Sequence, residues 1–230
     1  MCGIFGLISN SSDDYNYRLT KKSIINLAKL SQSRGKDSSG LCIYNSELKN
    51  FDVIKGPISA VDLMRRKKVN DLLYKNLKNN KNINLCFGHA RLVTNGTQLS
   101  HSNNQPVIKD GLICTHNGII VNVEELWAKN PKIKRNFEID SEIIPALINK
   151  NLDIGFSLKS SVKKCYENLV GTASVAIAFK DINKFVLATN FGSLYYFIND
   201  NNLLFASEKH ILKRTLNILY SKNNNEILKL

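Results

Sequence analysis

The chain has 230 residues, 43% hydrophobic and 22% charged, and its 32 Lys and Arg against 19 Asp and Glu leave a net charge of +13. This is ordinary globular composition; it excludes low-complexity disorder, and no apolar run reaches the ~18–20 residues of a membrane helix. Five scattered cysteines form no disulfide framework, and Met1-Cys2-Gly3-Ile4-Phe5-Gly6 lacks the basic region and long apolar core of a signal peptide, so a reducing, cytoplasmic setting is expected.

Hydrophobic period and turn residues then predict the elements in order. Residues 2–9 read as a buried strand and 19–33 as a helix with Ile24, Leu27 and Ala28 on one face. Short strands follow at 40–44 and 51–55. Residues 58–79 read as a basic, polar surface helix carrying Arg65, Arg66, Lys67, Lys68, Lys75 and Lys78, with Lys81 just beyond. Only Tyr74 interleaves that cluster and no nucleic-acid motif accompanies it, so it reads as a solvated face and not as a nucleic-acid footprint. Strands are predicted at 83–92, 106–109 and 112–116, and helices at 123–129, 140–150 and 157–168. In 172–180, Val175, Ile177 and Phe179 alternate with Ser174, Ala176 and Ala178, so both faces of this strand are covered. Strands at 184–190, 194–199 and 202–206, a helix at 208–219 and a short last strand within 225–230 complete the series. Antiparallel runs between groups of helices predict an α+β fold of two packed sheets between helices, in one domain over residues 1–230.

Five clusters break the periodic pattern: Cys2-Gly-Ile-Phe-Gly6, Arg34-Gly-Lys-Asp-Ser-Ser-Gly40, Gly88-His-Ala-Arg-Leu-Val-Thr-Asn-Gly96, His116-Asn-Gly-Ile-Ile120 and Ile139-Asp-Ser-Glu142. All but the last set glycines beside polar residues at strand ends, where backbone turns sharply or approaches a ligand. Cys2 is the most informative residue. Removal of Met1 would leave its thiol, of ordinary pKa about 8.5, beside an α-amine of about 7.7–8.0. One residue would then supply both nucleophile and base.

In this order the clusters, with Phe205-Ala-Ser-Glu208 near the end, resemble the class II glutamine amidotransferases, such as the glutaminase domains of glucosamine-6-phosphate synthase and asparagine synthetase. The resemblance spans essentially the whole chain. It implies the four-layer αββα sandwich of N-terminal-nucleophile hydrolases, L-glutamine as substrate, and neither cofactor nor metal. Carried over by position, it implies that Cys2 attacks the glutamine side-chain amide and forms a γ-glutamyl thioester. Asn117 and Gly118 would hold the oxyanion, Arg91 the α-carboxylate and Asp140 the α-ammonium. Leu92, Thr94 and Asn95 would complete the substrate pocket. Arg34 and Gly35 would support the Cys2 end. Apart from the resemblance, His101, in the loop before Asn104-Gln-Pro106, reads either as ordering a lid over bound glutamine or as a solvent-exposed residue.

Some positions depart from the sugar-aminating branch, which has Trp where Leu92 stands and His where Asn95 stands; Leu92 matches the asparagine branch, whereas His116-Asn-Gly-Ile-Ile matches the sugar branch. The resemblance ends where a glutaminase domain would, with no synthase domain, so the expected partner is a separate ammonia-accepting synthase subunit, with a free glutaminase as the other option. Two further readings stay open at this stage: an N-terminal-nucleophile amidohydrolase on another amide, and a non-catalytic glutamine-binding regulatory subunit. A zinc set from Cys86-x-x-His89 and Cys114-x-His116, and a Cys–His dyad using His89 or His116, are the competing site chemistries. Cys42, Cys86, Cys114 and Cys165 otherwise read as inert core thiols, and His210 as a helix-surface residue.

Overall fold

The computed structural model describes residues 2–10, 15–45, 49–78, 83–92, 97, 99–180, 184–219 and 226–230. Its strands are β1 (Gly3–Asn10), β2 (Ser38–Asn45), β3 (Asn50–Gly56), β4 (Ile83–Arg91), β5 (Val107–Lys109), β6 (Leu112–Ile120), β7 (Gly171–Phe179), β8 (Phe185–Thr189), β9 (Tyr195–Ile198), β10 (Asn202–Ala206) and β11 (Leu228–Lys229). Its α-helices are α1 (Tyr17–Ser31), α2 (Ala60–Arg65), α3 (Lys67–Lys78), α4 (Val123–Ala128), α5 (Ile143–Asp153), α6 (Leu158–Asn168) and α7 (Lys209–Leu219).

Seven strands form one sheet in the order β11-β9-β10-β1-β4-β2-β3, and four form a second in the order β5-β6-β7-β8. Every pairing is antiparallel. Side-chain alternation divides the core into three layers. Phe5, Leu7, Leu41 and Ile43 face α1, α2, α3 and α7, whereas Ile4, Cys42, Leu85 and Phe87 face the second sheet. On β7, Val175 and Ile177 pack against α5 and α6, while Ala176 and Ala178 pack inward. The small inward residues let the sheets approach, and the bulky outward ones seat the helices. The result is the expected α+β sandwich of helices, two antiparallel sheets and helices. Each fully buried Leu, Ile or Phe in these layers contributes about 1.5–3 kcal/mol.

Two expectations need correction. Residues 58–79 are not one surface helix: Arg66 is extended, with ψ at 135°, and separates α2 from α3. The basic residues are exposed, but Leu63, Met64, Val69, Leu73 and Leu77 are core residues under the first sheet. The i, i+4, i+8 row in α3 was overshadowed by its charge. The strand expected at 112–116 runs on as β6 to Ile120, through His116, Asn117 and Gly118, because β7 pairs with it along its whole length. Among the described residues no helix is long and apolar enough to cross a membrane.

Candidate active site

The site lies along an open edge. Strand β5 pairs with β6 only as far as Val107 opposite Cys114, so among the described residues the later part of β6 has no strand neighbour on that side. Backbone N–H groups alternate sides along a strand, so those of His116, Gly118 and Ile120 share one direction. The His116 N–H donates to Gln105 Oε1 at 2.6 Å, and its carbonyl accepts from Gln105 Nε2 at 3.0 Å. The Ile120 N–H donates to Asp140 Oδ2 at 3.0 Å. On the other side, the Ala173 N–H opposite Gly118 donates to Asn190 Oδ1 at 2.9 Å and not to β6. The Gly118 N–H is therefore aimed at the open edge, between two N–H groups that side chains already satisfy. Gly118 itself has φ +154°, and a Cβ there would sit 1.8 Å from the Thr172 carbonyl oxygen. No larger residue fits.

The first sheet supplies the facing wall. Cys2 precedes β1 on the face shared with Ile4, toward the second sheet. The β1–β4 register, with Gly3 opposite Ala90, brings Arg91 beside Cys2. Cys2, Arg91, Gly118, Asp140 and Ser141 line one narrow pocket of about 10 Å³, so its walls must part to admit anything larger than a water. A second cavity, of about 300 Å³, lies against Cys2, Asn117, Gly118, Thr172, Glu208 and Phe191, a residue that is 88% exposed. Cys2 and Gly118 belong to both spaces and form the divide between them.

Around that divide the polar groups are tightly arranged. The Cys2 nitrogen donates to Asn117 Oδ1 at 3.1 Å, which turns the Asn117 NH2 away from that nitrogen, and the Cys2 thiol lies 3.5 Å from the Leu92 carbonyl. Burial raises the thiol pKa above its ordinary value, and the Leu92 backbone contact and the Arg91 charge only partly oppose it. Cys2 is thus a thiol at neutral pH. Arg34 Nε donates to the Cys2 carbonyl at 3.3 Å while its Nη1 pairs with Glu208 at 2.6 Å. The Ile4 N–H donates to Ser207 Oγ at 2.8 Å, so residues 207–208 fasten the start of β1. Gly35 packs on the Arg91–Leu92 backbone, where a Cβ would come within 2.2 Å.

Arg91 Nη1 donates to the Asn103 carbonyl at 2.9 Å. Asp140 begins a 3-10 turn, Asp140–Glu142, and the Ser141 hydroxyl approaches its Oδ1 at 3.3 Å. The His116 ring is spanned by Ser141 Oγ, 3.0 Å from Nδ1, and the Thr172 carbonyl, 3.4 Å from Nε2. Burial lowers its pKa against the pull of Asp140. His89 shares the inward face of β4 with Leu85 and Phe87, and burial, then Arg91 and His116, push its pKa down to about 3. Both rings are neutral at pH 7.

Of the residues singled out by sequence, Cys2, Arg91, Gly118 and Asp140 meet in the pocket, and Asn117 and Arg34 touch Cys2. Leu92 is exposed and contributes its carbonyl, and His101 is exposed and lines neither space. Thr94 and Asn95 lie outside the described residues. The zinc set is not assembled: Cys86 faces the helices of the first sheet and Cys114 those of the second, on opposite outer faces of the sandwich. Sequence reasoning missed Asn103, Gln105 and Ser207. The run Asn103-Asn104-Gln105-Pro106 was a usable signal, because amide side chains there are buried in a loop with no other reason to exclude water.

A family model described as "Glutamine amidotransferase domain" matches residues 89–214. The 7-cyano-7-deazaguanine synthase of Saccharolobus solfataricus is 29% identical over 199 residues, which are 85% of this chain and 40% of that protein. The glutamine–fructose-6-phosphate aminotransferase (isomerizing) of Francisella tularensis is 31% identical over 195 residues, 84% of this chain and 29% of that one. The chain therefore spans well under half the length of these relatives. Among solved structures, the glutamine phosphoribosylpyrophosphate amidotransferase from B. subtilis superposes with a TM-score of 0.68 at 21% identity, over 93% of this chain and 43% of that one. A structure described as the allosteric regulatory enzyme of purine biosynthesis gives 0.69 at 21%, over 99% and 44%.

Proposed function

The chain belongs to the glutamine amidotransferase domain family, and on that premise we propose that it hydrolyses L-glutamine to L-glutamate and ammonia at Cys2. The observation that carries this reading is the Gly118 N–H aimed at the open edge of β6, beside an Asn117 side chain whose oxygen already engages the Cys2 nitrogen. Loss of Met1 frees the Cys2 α-amine, which accepts the thiol proton as Sγ bonds to the glutamine amide carbon. Asn117 Nδ2 and the Gly118 N–H receive the negative oxygen of the tetrahedral adduct. The protonated amine returns its proton to the departing nitrogen, the C–N bond breaks, and ammonia leaves a γ-glutamyl thioester. Water, deprotonated by the same amine, then attacks the thioester, releasing glutamate and restoring the thiol. Arg91 holds the α-carboxylate by its planar fork and Asp140 holds the α-ammonium.

The narrow pocket, once opened, takes the amino-acid end, and the 300 Å³ cavity beyond Cys2 receives the ammonia. All 230 residues form one glutaminase domain, and the enzyme that consumes the ammonia is a separate synthase subunit docked at that mouth. A sugar or other activated acceptor fits the fructose-6-phosphate in the name of the aminotransferase relative. The test is glutamate release by wild type and by Cys2→Ala, with intact mass measured on the active material. Loss of Met1 and an inactive Cys2→Ala are expected. Full activity with Met1 retained, or in Cys2→Ala, would refute the mechanism, and equal rates on asparagine would refute the substrate. Co-purification with a synthase tests the partner.

A further inference from the structure

We propose that Asn103 is a positioning residue that couples the two charged poles of the site, fixing Arg91 and Asp140 at the span between the α-carboxylate and α-ammonium of one amino acid. This rests on the glutamine reading and adds how selection for a zwitterion is built. Asn103 is 1% exposed and ends a 3-10 turn, His101–Asn103. Its carbonyl accepts from Arg91 Nη1 at 2.9 Å. Its side chain reads residue 138 from both ends: Nδ2 donates to Glu138 Oε2 at 2.8 Å, and Oδ1 accepts the Glu138 N–H at 3.3 Å. Nδ2 also reaches the Thr97 carbonyl at 3.2 Å. Glu138 stands two residues before Asp140, whose Oδ2 is held by the Ile120 N–H at 3.0 Å.

The segment between them is stiff. Glu142 accepts the N–H groups of Asn136 and Phe137 at 2.9 Å and 2.7 Å, and its Oε1 pairs with Lys109 at 3.1 Å. Lys109 also donates to the Lys134 carbonyl. Residues 134–142 therefore form a braced strip that joins Asn103 to Asp140, and Asn103 is the joint between this strip and Arg91. An amino acid presents its two charges at a fixed separation, so a clamp with a fixed span binds it without an ordering cost. Removing the Asn103 amide leaves each pole able to bind its own charge, but the span is no longer set.

That distinction gives the test. Binding of L-glutamine and of glutaramate, the same amide acid without the α-ammonium, is measured by calorimetry on the full chain with Cys2→Ala, so turnover plays no part. In this parent, glutamine is expected to bind about tenfold or more tighter than glutaramate, a difference of about 1.4 kcal/mol. Adding Asn103→Ala is expected to shrink the ratio to under about threefold by weakening glutamine while glutaramate stays within about twofold. A purely structural role would weaken both ligands together. Glu138 is exposed, so Glu138→Ala tests the same link where Asn103→Ala does not fold; it should lower the ratio, and Glu138→Gln, which keeps the acceptor, should restore it. An unchanged ratio in Asn103→Ala or Glu138→Ala, or an equal loss for both ligands, overturns the proposal while leaving the glutamine reading intact. A parent that binds no glutamine overturns both.

Discussion

Replacing Asn117 by Asp tests the oxyanion assignment with little change of shape. The Asn117 oxygen accepts from the Cys2 nitrogen at 3.1 Å, so only the amide NH2 is left to face a developing negative charge. Aspartate keeps the acceptor toward Cys2 and removes the donor. One oxyanion donor in a water-poor site contributes about 2.7–4 kcal/mol, so kcat should fall roughly a hundred- to a thousandfold. The added carboxylate makes matters worse in two ways: it repels the oxyanion, and it raises the pKa of the adjacent α-amine, leaving less neutral base at pH 7. Asn117→Asp should therefore be at least as slow as Asn117→Ala, with its residual rate shifted to higher pH. KM should change little in either variant, because the proposed mechanism assigns substrate binding to Arg91 and Asp140 and not to Asn117. The assay is glutamate release at saturating glutamine, with thermal melting to confirm that both variants fold. A kcat for Asn117→Asp within about tenfold of wild type would show that the side-chain donor carries no transition-state charge.

The thiols and the buried ion pair give two further expectations. Cys2 is the one cysteine that is not buried, so iodoacetamide should label one thiol in the native protein and all five after denaturation. Because burial raises the Cys2 pKa, the labelling rate should keep climbing from pH 7 through the ordinary thiol range near about 8.5; a plateau by pH 7 would contradict the raised value. Lys109→Met should destabilise the protein by about 3–5 kcal/mol, since it leaves the Glu142 carboxylate buried without its cation. In a chain of this length that lowers Tm by roughly 6–20 °C in calorimetry. A change under about 2 °C would mean that the backbone N–H groups alone satisfy Glu142.

Much of the sandwich was legible because its signal is local. The alternation of bulky and small residues in β7 announces two covered faces, and each face meets the layer that its side-chain volumes suit. The break at Arg66 was not legible, because a polar, basic stretch has the same period on either side of one extended residue. The extension of β6 was hidden for a related reason: Asn117 and Gly118 have poor strand propensity, and only the partner β7 keeps them extended. Cys2, Arg91, Gly118 and Asp140 could be singled out because their clusters interrupt the periodic pattern. Asn103, Gln105, Lys109 and Ser207 act through pairings 35, 11, 33 and 203 residues apart, as with Glu138, His116, Glu142 and Ile4, and no sequence period reports which distant residues the fold brings together.

The open edge of β6 explains why those loop residues and the site cannot be separated. An edge strand leaves N–H and C=O groups that need partners, and proteins cover such edges or pair them. Here Gln105 covers His116, and Asp140 covers Ile120. Each uses a side chain where a neighbouring strand would use backbone, and a side chain can stop after one residue. A strand in that position would also have consumed the Gly118 N–H. Covering the edge one group at a time leaves a single donor uncovered, with Cys2 across from it and a carboxylate two residues along. It also makes Asp140, a cap on the sheet, the carboxylate to which the proposed function assigns the ammonium group. Asp140→Asn should consequently keep most of the fold's stability, because an amide oxygen can still accept the Ile120 N–H, while losing the charge that draws the substrate.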